Sequence, residues 1–228
     1  MPYPFEYSSG IQQALEYVVE AHKGQTRKAG VDGKHIPYVV HPIEVMKRVW
    51  SWGLGQPVFL VAALLHDVLE DCPAINLETF MHPDVHLGIQ KVFGKEIADI
   101  VVELTFKDDG DFQPTKTCGT KATQDSKKAK EEYMNSFQNK SLPSLLIKLS
   151  DRFCNVHDFM ITSPSYAWKY LRKADSLLNV ANRRKGEIIE RYGQYTIDCI
   201  KKDYTLLCME INNKDVMNLF QYNCILRI

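Results

Sequence analysis

Apolar residues recur every three or four positions through most of this chain, and no convincing run of alternating strands interrupts them. Ile11, Ala14, Leu15, Val18 and Val19 predict an amphipathic helix from Ile11 to about Gln25, ending near Gly24. Thr26 to Lys34 is a glycine-containing basic loop. Proline suits the first position of a helix, so Pro42 places His41 at the N-cap of a helix running to about Trp52. Gly53 and Gly55 break the chain, and Gln56 to Leu69 forms a helix apolar around most of its circumference, hence a core helix. After Pro73, Asn76 caps a short helix over Leu77 to Met81, and Gly94 to Leu104 is amphipathic again. Lys107 to Gly119 has loop composition, and Thr120 to Lys140 reads as a lysine-rich surface helix. Leu142 to Met160 has proline in its first turn and the stripe Leu145, Leu146, Leu149, Phe153 and Val156. A long helix over Ser163 to Tyr192, another from Tyr195 to about Ile211, and a short helix or tail over 212–228 complete the pattern. The expected architecture is all-α, with one domain over residues 1–190 and a helical extension, 191–228, packed on it.

Composition narrows the function classes. The 28 basic residues balance 28 acidic ones, so no net charge draws the chain to nucleic acid or membrane. No apolar run approaches the roughly 20 residues of a membrane helix. The first ten residues have neither a basic start nor an apolar run, which predicts no signal peptide. Six scattered cysteines with no Cys-x-x-Cys pair read as reduced thiols of a cytoplasmic protein, and they argue against structural zinc.

The most informative stretch is Val61-Ala-Ala-Leu-Leu-His66-Asp67-Val-Leu-Glu70-Asp71. On a continuous helix Glu70 lies four on from His66, and Asp71 lies four on from Asp67, so an imidazole and three carboxyls share one face. Burying that cluster without a counter-charge is costly, and a divalent cation supplies one. The plainer alternative is a helix C-terminus with solvated charges, stopped by Pro73. Other candidates divide the same way. His41 is a cap or a ligand. Arg27 and Lys28 are solvated charges or face phosphate. Asp151 is paired with Lys148 or Arg152, or it is a ligand, and Asn155 lies one turn further on its side of the helix. His82 and His86 are spaced as on one face, but Pro83 between them argues against a second metal pair.

The order His41, His66-Asp67, Asp151, with these flanks, resembles the HD superfamily of metal-dependent phosphohydrolases. Four segments resemble more narrowly the hydrolase domain of RelA/SpoT-type alarmone enzymes. They are Ala21-His-Lys-Gly-Gln-Thr-Arg-Lys28, Pro37-Tyr38 with His41-Pro42, Ala62-Ala-Leu-Leu-His-Asp-Val-Leu-Glu-Asp71, and Ile147-Lys-Leu-Ser-Asp-Arg152 with Asn155. In length the chain is similar to the stand-alone small alarmone hydrolases of that group, the metazoan SpoT homologue among them. The resemblance implies an HD-domain helical bundle and one divalent ion, Mn2+, on His41, His66, Asp67 and Asp151. It implies that Glu70 and Asp71 activate and position water, and that Arg27, Lys28, Asn155 and Tyr170 contact substrate. The implied reaction is 3′-pyrophosphohydrolysis of (p)ppGpp, a small-molecule nucleotide, within the stringent response. The alternatives are the same chemistry on ppApp, on the 2′-phosphate of NADPH or on a pyrophosphorylated tRNA 3′ end, the one case with a nucleic-acid partner. A catalytically dead alarmone-binding or antitoxin module is the non-enzyme alternative, and a homo-oligomer is compatible with each.

Overall fold

The computed structural model describes residues 9–28, 35–72, 85–106 and 124–218. The described residues form an all-α helical bundle with one small antiparallel strand pair. In order come α1 (Ser9–Ala21), β1 (Thr26–Lys28), β2 (His35–Pro37), α2 (Val40–Ser51), α3 (Pro57–Leu65) and α4 (Val68–Asp71). Then follow α5 (Val85–Phe93), α6 (Lys95–Leu104), α7 (Gln124–Ser136), α8 (Leu142–Thr162), α9 (Pro164–Arg183), α10 (Lys185–Tyr192) and α11 (Gln194–Asn218). No described helix is long and apolar enough to cross a membrane.

Two helices form the centre. Every residue of α3 from Phe59 to Leu65 is buried, because α1, α2, α6 and α8 enclose it. In α8 the buried run extends unbroken from Leu142 to Asp151. Its start is fixed by Ser141, whose hydroxyl accepts from the Ser144 N–H and donates to Glu103 at 2.6 Å. That is an N-cap backed by a carboxylate from α6. Because α8 is buried on all sides over nearly three turns, the polar residues it carries there are held inside the protein.

The helix periodicity locates most of these elements; α5 was not expected, α11 runs on to Asn218, and the boundaries nearest the site differ as follows. The basic loop begins as strand β1, with Thr26, Arg27 and Lys28 opposite Pro37, Ile36 and His35 of β2; strands of three residues are too short to leave an alternating signature. The expected helix through Leu69 stops at Leu65, and α4 restarts at Val68. There the His66 ring Nδ1 reaches the Ala63 carbonyl at 2.8 Å, while the Asp67 carbonyl accepts the N–H groups of Glu70 and Asp71 at 3.1 and 2.8 Å. The expected long helix to Tyr192 divides at Arg184, whose guanidinium donates to the Lys140 carbonyl at 2.7 Å. The expected helix over Leu77 to Met81, the loop from Lys107 to Gly119, and His82 lie outside the described residues.

Past the break, α10 and α11 pack on one another, and α11 lies against α8 and α9. Gly53, with φ +84°, takes the turn after α2 directly beneath the Tyr195 ring, where a Cβ would come within 3.1 Å. Asp203 of α11 accepts from Arg48 at 2.8 Å and from the indole N–H of fully buried Trp52 at 2.9 Å. Asp203→Ala strands both donors. A loss of about 2–3 kcal/mol is expected in urea unfolding.

Candidate metal centre

Three parts of the chain deliver four side chains to one buried point. His41 comes from the first turn of α2, His66 and Asp67 from the break between α3 and α4, and Asp151 from the middle of α8. All four are buried. One ligand atom each from His41, His66 and Asp151 lies within 4.8 Å of the other two. His41 Nε2 is 3.2 Å from Asp151 Oδ1 and 3.7 Å from Asp67 Oδ2. His66 Nε2 is 3.0 Å from Asp67 Oδ2 and 3.8 Å from Asp151 Oδ1.

The donor set suits a divalent cation. His66 Nδ1 lies 2.8 Å from a backbone carbonyl, so the ring proton sits on Nδ1 when Nε2 ligates a cation. Nε2 is buried and faces two carboxylate oxygens; burial opposes a charge there, but Asp67 and Asp151 raise the ring's pKa, so a cation would take the place of a proton. Nitrogen and oxygen donors of this kind favour a metal of borderline hardness, and among the described residues no cysteine joins the cluster.

Charge around the cluster is partly balanced already. The buried Lys148 ammonium sits 3.1 Å from the far oxygen of Asp151, Oδ2. Burial opposes ionisation of Asp151, yet Lys148 and the two imidazoles hold its carboxyl well below the ordinary range. Burial likewise opposes ionisation of Asp67, and His66 then pulls its carboxyl down. Both carboxylates are therefore ready to bind a cation at neutral pH.

Glu70 and Asp71 sit one turn beyond Asp67 in α4. Burial pushes the Glu70 carboxyl up, with Lys148 opposing and Asp67 and Asp71 adding to the rise. A carboxyl raised in this way can take and return a proton nearer neutral pH. Asp71 Oδ2 accepts the Tyr38 hydroxyl at 3.0 Å. The continuous helical face expected from the sequence is thus replaced by a turn, which sends His66 and Asp67 inward while Glu70 and Asp71 stay half-buried.

The substrate-side candidates divide. Arg27 reaches α8, where it donates to Asn155, pairs with Asp158 at 2.8 Å and stacks over the Tyr38 ring. Asn155 in turn donates to Asp151, so it adjoins the cluster directly. Lys28 pairs with His35 in the hairpin, and its side chain lies outside the described residues. The hydroxyl of Tyr170 in α9 accepts from Arg152, the residue after Asp151, whose guanidinium also lies 5.0 Å over the Tyr170 ring.

Sequence reasoning gave no role to Tyr38 or Asp158, and treated Lys148 only as an ion-pair partner. Tyr38 lay inside a motif already singled out, three residues before His41. Lys148 had a stronger signal: an ammonium inside the apolar run Leu145 to Leu149 must be paired inside.

The HD domain family model matches residues 14–184. The guanosine-3′,5′-bis(diphosphate) 3′-pyrophosphohydrolase of Spiroplasma citri is 27% identical over 216 residues, covering 91% of this chain and 25% of that protein. The bifunctional (p)ppGpp synthase/hydrolase SpoT of Escherichia coli K12 is 27% identical over 186 residues, covering 80% of this chain and 23% of that protein. The chain thus spans about a quarter of the length of these relatives. A solved metazoan ortholog of SpoT, described as hydrolyzing ppGpp, aligns with TM-score 0.58 and 20% identity over 96% of this chain and 98% of its own, a likeness of fold. The family match spans α1 to the end of α9 and takes in each of the four converging side chains: this chain belongs to the HD domain family.

Proposed function

We propose that this chain is a manganese-dependent (p)ppGpp 3′-pyrophosphohydrolase, with His41, His66, Asp67 and Asp151 as the metal ligands. The observation that carries this reading is the buried convergence of those four side chains with Glu70 and Asp71 one turn away. The segments of Spiroplasma citri and Escherichia coli proteins that match this chain belong to enzymes named for that reaction. When bound, the cation supplies Lewis acidity and lowers the pKa of water.

The remaining work falls to the protein's own groups. Hydrolysis adds water at the 3′-linked phosphorus, breaks the bond between that phosphorus and the ribose 3′-oxygen, and returns a proton to that oxygen. Glu70, with its raised carboxyl, accepts the water's proton and can return it to the leaving oxygen. Asn155 and Arg27, bonded to one another beside Asp151, hold the nucleoside side of the substrate.

Positive charge lines the neighbouring wall. Lys130 lies 6.0 Å over the Phe106 ring and Lys173 lies 5.7 Å over the Tyr170 ring. The Phe106 N–H is 3.5 Å from Glu70 Oε2, and Arg152 shares Tyr170 with Lys173. A cationic rim beside a carboxyl pair suits a substrate with several phosphates.

The test incubates purified chain and Mn2+ with ppGpp, ppApp, NADPH and pyrophosphorylated tRNA, measuring pyrophosphate and phosphate release. Pyrophosphate release from ppGpp faster than any release from the other three is expected. A faster rate on another substrate moves the same chemistry to that substrate, and no release from any of them contradicts the enzyme reading.

A further inference from the structure

We propose that Tyr38 is a positioning residue: its single hydroxyl ties Asp67, at the metal cluster, to Asp71, beside it. This rests on the reading of the site given above. The phenol oxygen lies 2.6 Å from Asp67 Oδ2 and 3.0 Å from Asp71 Oδ2. Asp67 Oδ2 is the same oxygen that faces both imidazoles. The one phenol proton is therefore shared between the two carboxylates, more closely held by Asp67; it offsets their repulsion and turns Asp67 toward the histidines.

The ring is held from several sides, so the hydroxyl has little freedom to leave. His22, itself buried, stacks on it with centroids 4.6 Å apart and planes inclined by 26°. The Arg27 guanidinium lies 5.6 Å from the ring centre, and the His41 ring meets it edge-on at 5.9 Å. The Tyr38 N–H donates to the Gln25 carbonyl at 3.0 Å, and its own carbonyl accepts the His41 N–H at 2.9 Å. Tyr38 is thus joined through its backbone to one histidine of the cluster and through its hydroxyl to Asp67.

Gln25 extends the same support. Its side-chain oxygen pairs with His22 Nδ1 at 2.9 Å, and its amide nitrogen donates to the Asp71 backbone carbonyl at 3.2 Å. Asp71 is consequently gripped at both ends, main chain by Gln25 and carboxylate by Tyr38. The segment before α2 sets the direction of an acid that lies about thirty positions later in the chain.

The test compares wild type with Tyr38→Phe, Asp71→Asn and the double variant of the full chain. Phenylalanine keeps the ring between His22 and Arg27 and removes only the hydroxyl. Mn2+ binding by titration calorimetry should weaken about 10-fold in Tyr38→Phe, the scale on which groups that orient metal ligands act. At saturating Mn2+, kcat should fall about 10- to 100-fold with KM within about twofold, and the double variant should turn over no more slowly than Asp71→Asn. A purely packing role would leave the Mn2+ affinity and the kcat of folded Tyr38→Phe unchanged, and that result overturns the proposal. Losses that multiply in the double variant overturn it too. The calorimetric arm needs no turnover, so it still decides the role of Tyr38 if ppGpp is not the substrate.

Discussion

Asp67→Ala is expected to abolish binding of Mn2+ and, with it, hydrolysis. Asp67 Oδ2 lies within 3.7 Å of both imidazoles and accepts the Tyr38 hydroxyl, so it occupies the junction between the ligand set and its support. Alanine leaves two histidines and one carboxylate, and that carboxylate is already paired with Lys148. With a single carboxylate whose charge is largely answered, the site attracts a dication far less. Calorimetry should show affinity lowered at least about 100-fold, the upper end of the range seen even for groups that merely orient ligands. The metal-free variant should still melt cooperatively, because the core around α3 and α8 is untouched. Retained activity in a metal-free Asp67→Ala preparation would rule out the mechanism.

Glu70→Gln is expected to do the opposite: spare the metal and remove turnover. Glu70 lies one turn past Asp67, and none of its described contacts is to a histidine of the cluster. Glutamine keeps the size and the acceptor oxygen but cannot exchange a proton. Mn2+ affinity should stay within about threefold, while kcat falls about 10²- to 10⁴-fold, the range that general acid–base groups supply. A Glu70→Gln enzyme with wild-type kcat would assign the proton transfer elsewhere. The two variants together separate holding the cation from using it.

Much of this was legible in the chain because the site sits on the core helices themselves. Periodicity located α2, α3 and α8, and each polar residue interrupting or ending an apolar run proved to face the interior: His41, His66, Asp67, Asp151. The course of the backbone between His66 and Val68 was not legible. Helical spacing assumes that every residue stays in the ladder, whereas the His66 ring here takes a carbonyl at the helix end and α4 restarts. The β-hairpin was hidden for a simpler reason, its three-residue strands. Tyr38 and Tyr170 illustrate the limit of reading roles from position. Tyr38 gained its importance from contacts with residues about thirty positions away, and the Arg152 partner of Tyr170 comes from another helix, so neither contact shows in local spacing.

The most direct measurement is the anomalous scattering of a Mn2+-soaked crystal recorded at the manganese edge. One peak bonded to His41 Nε2, His66 Nε2, an Asp67 oxygen and an Asp151 oxygen is the predicted result. Density at that point with no anomalous signal, or a manganese ion bound elsewhere with these four side chains unligated, would contradict the account.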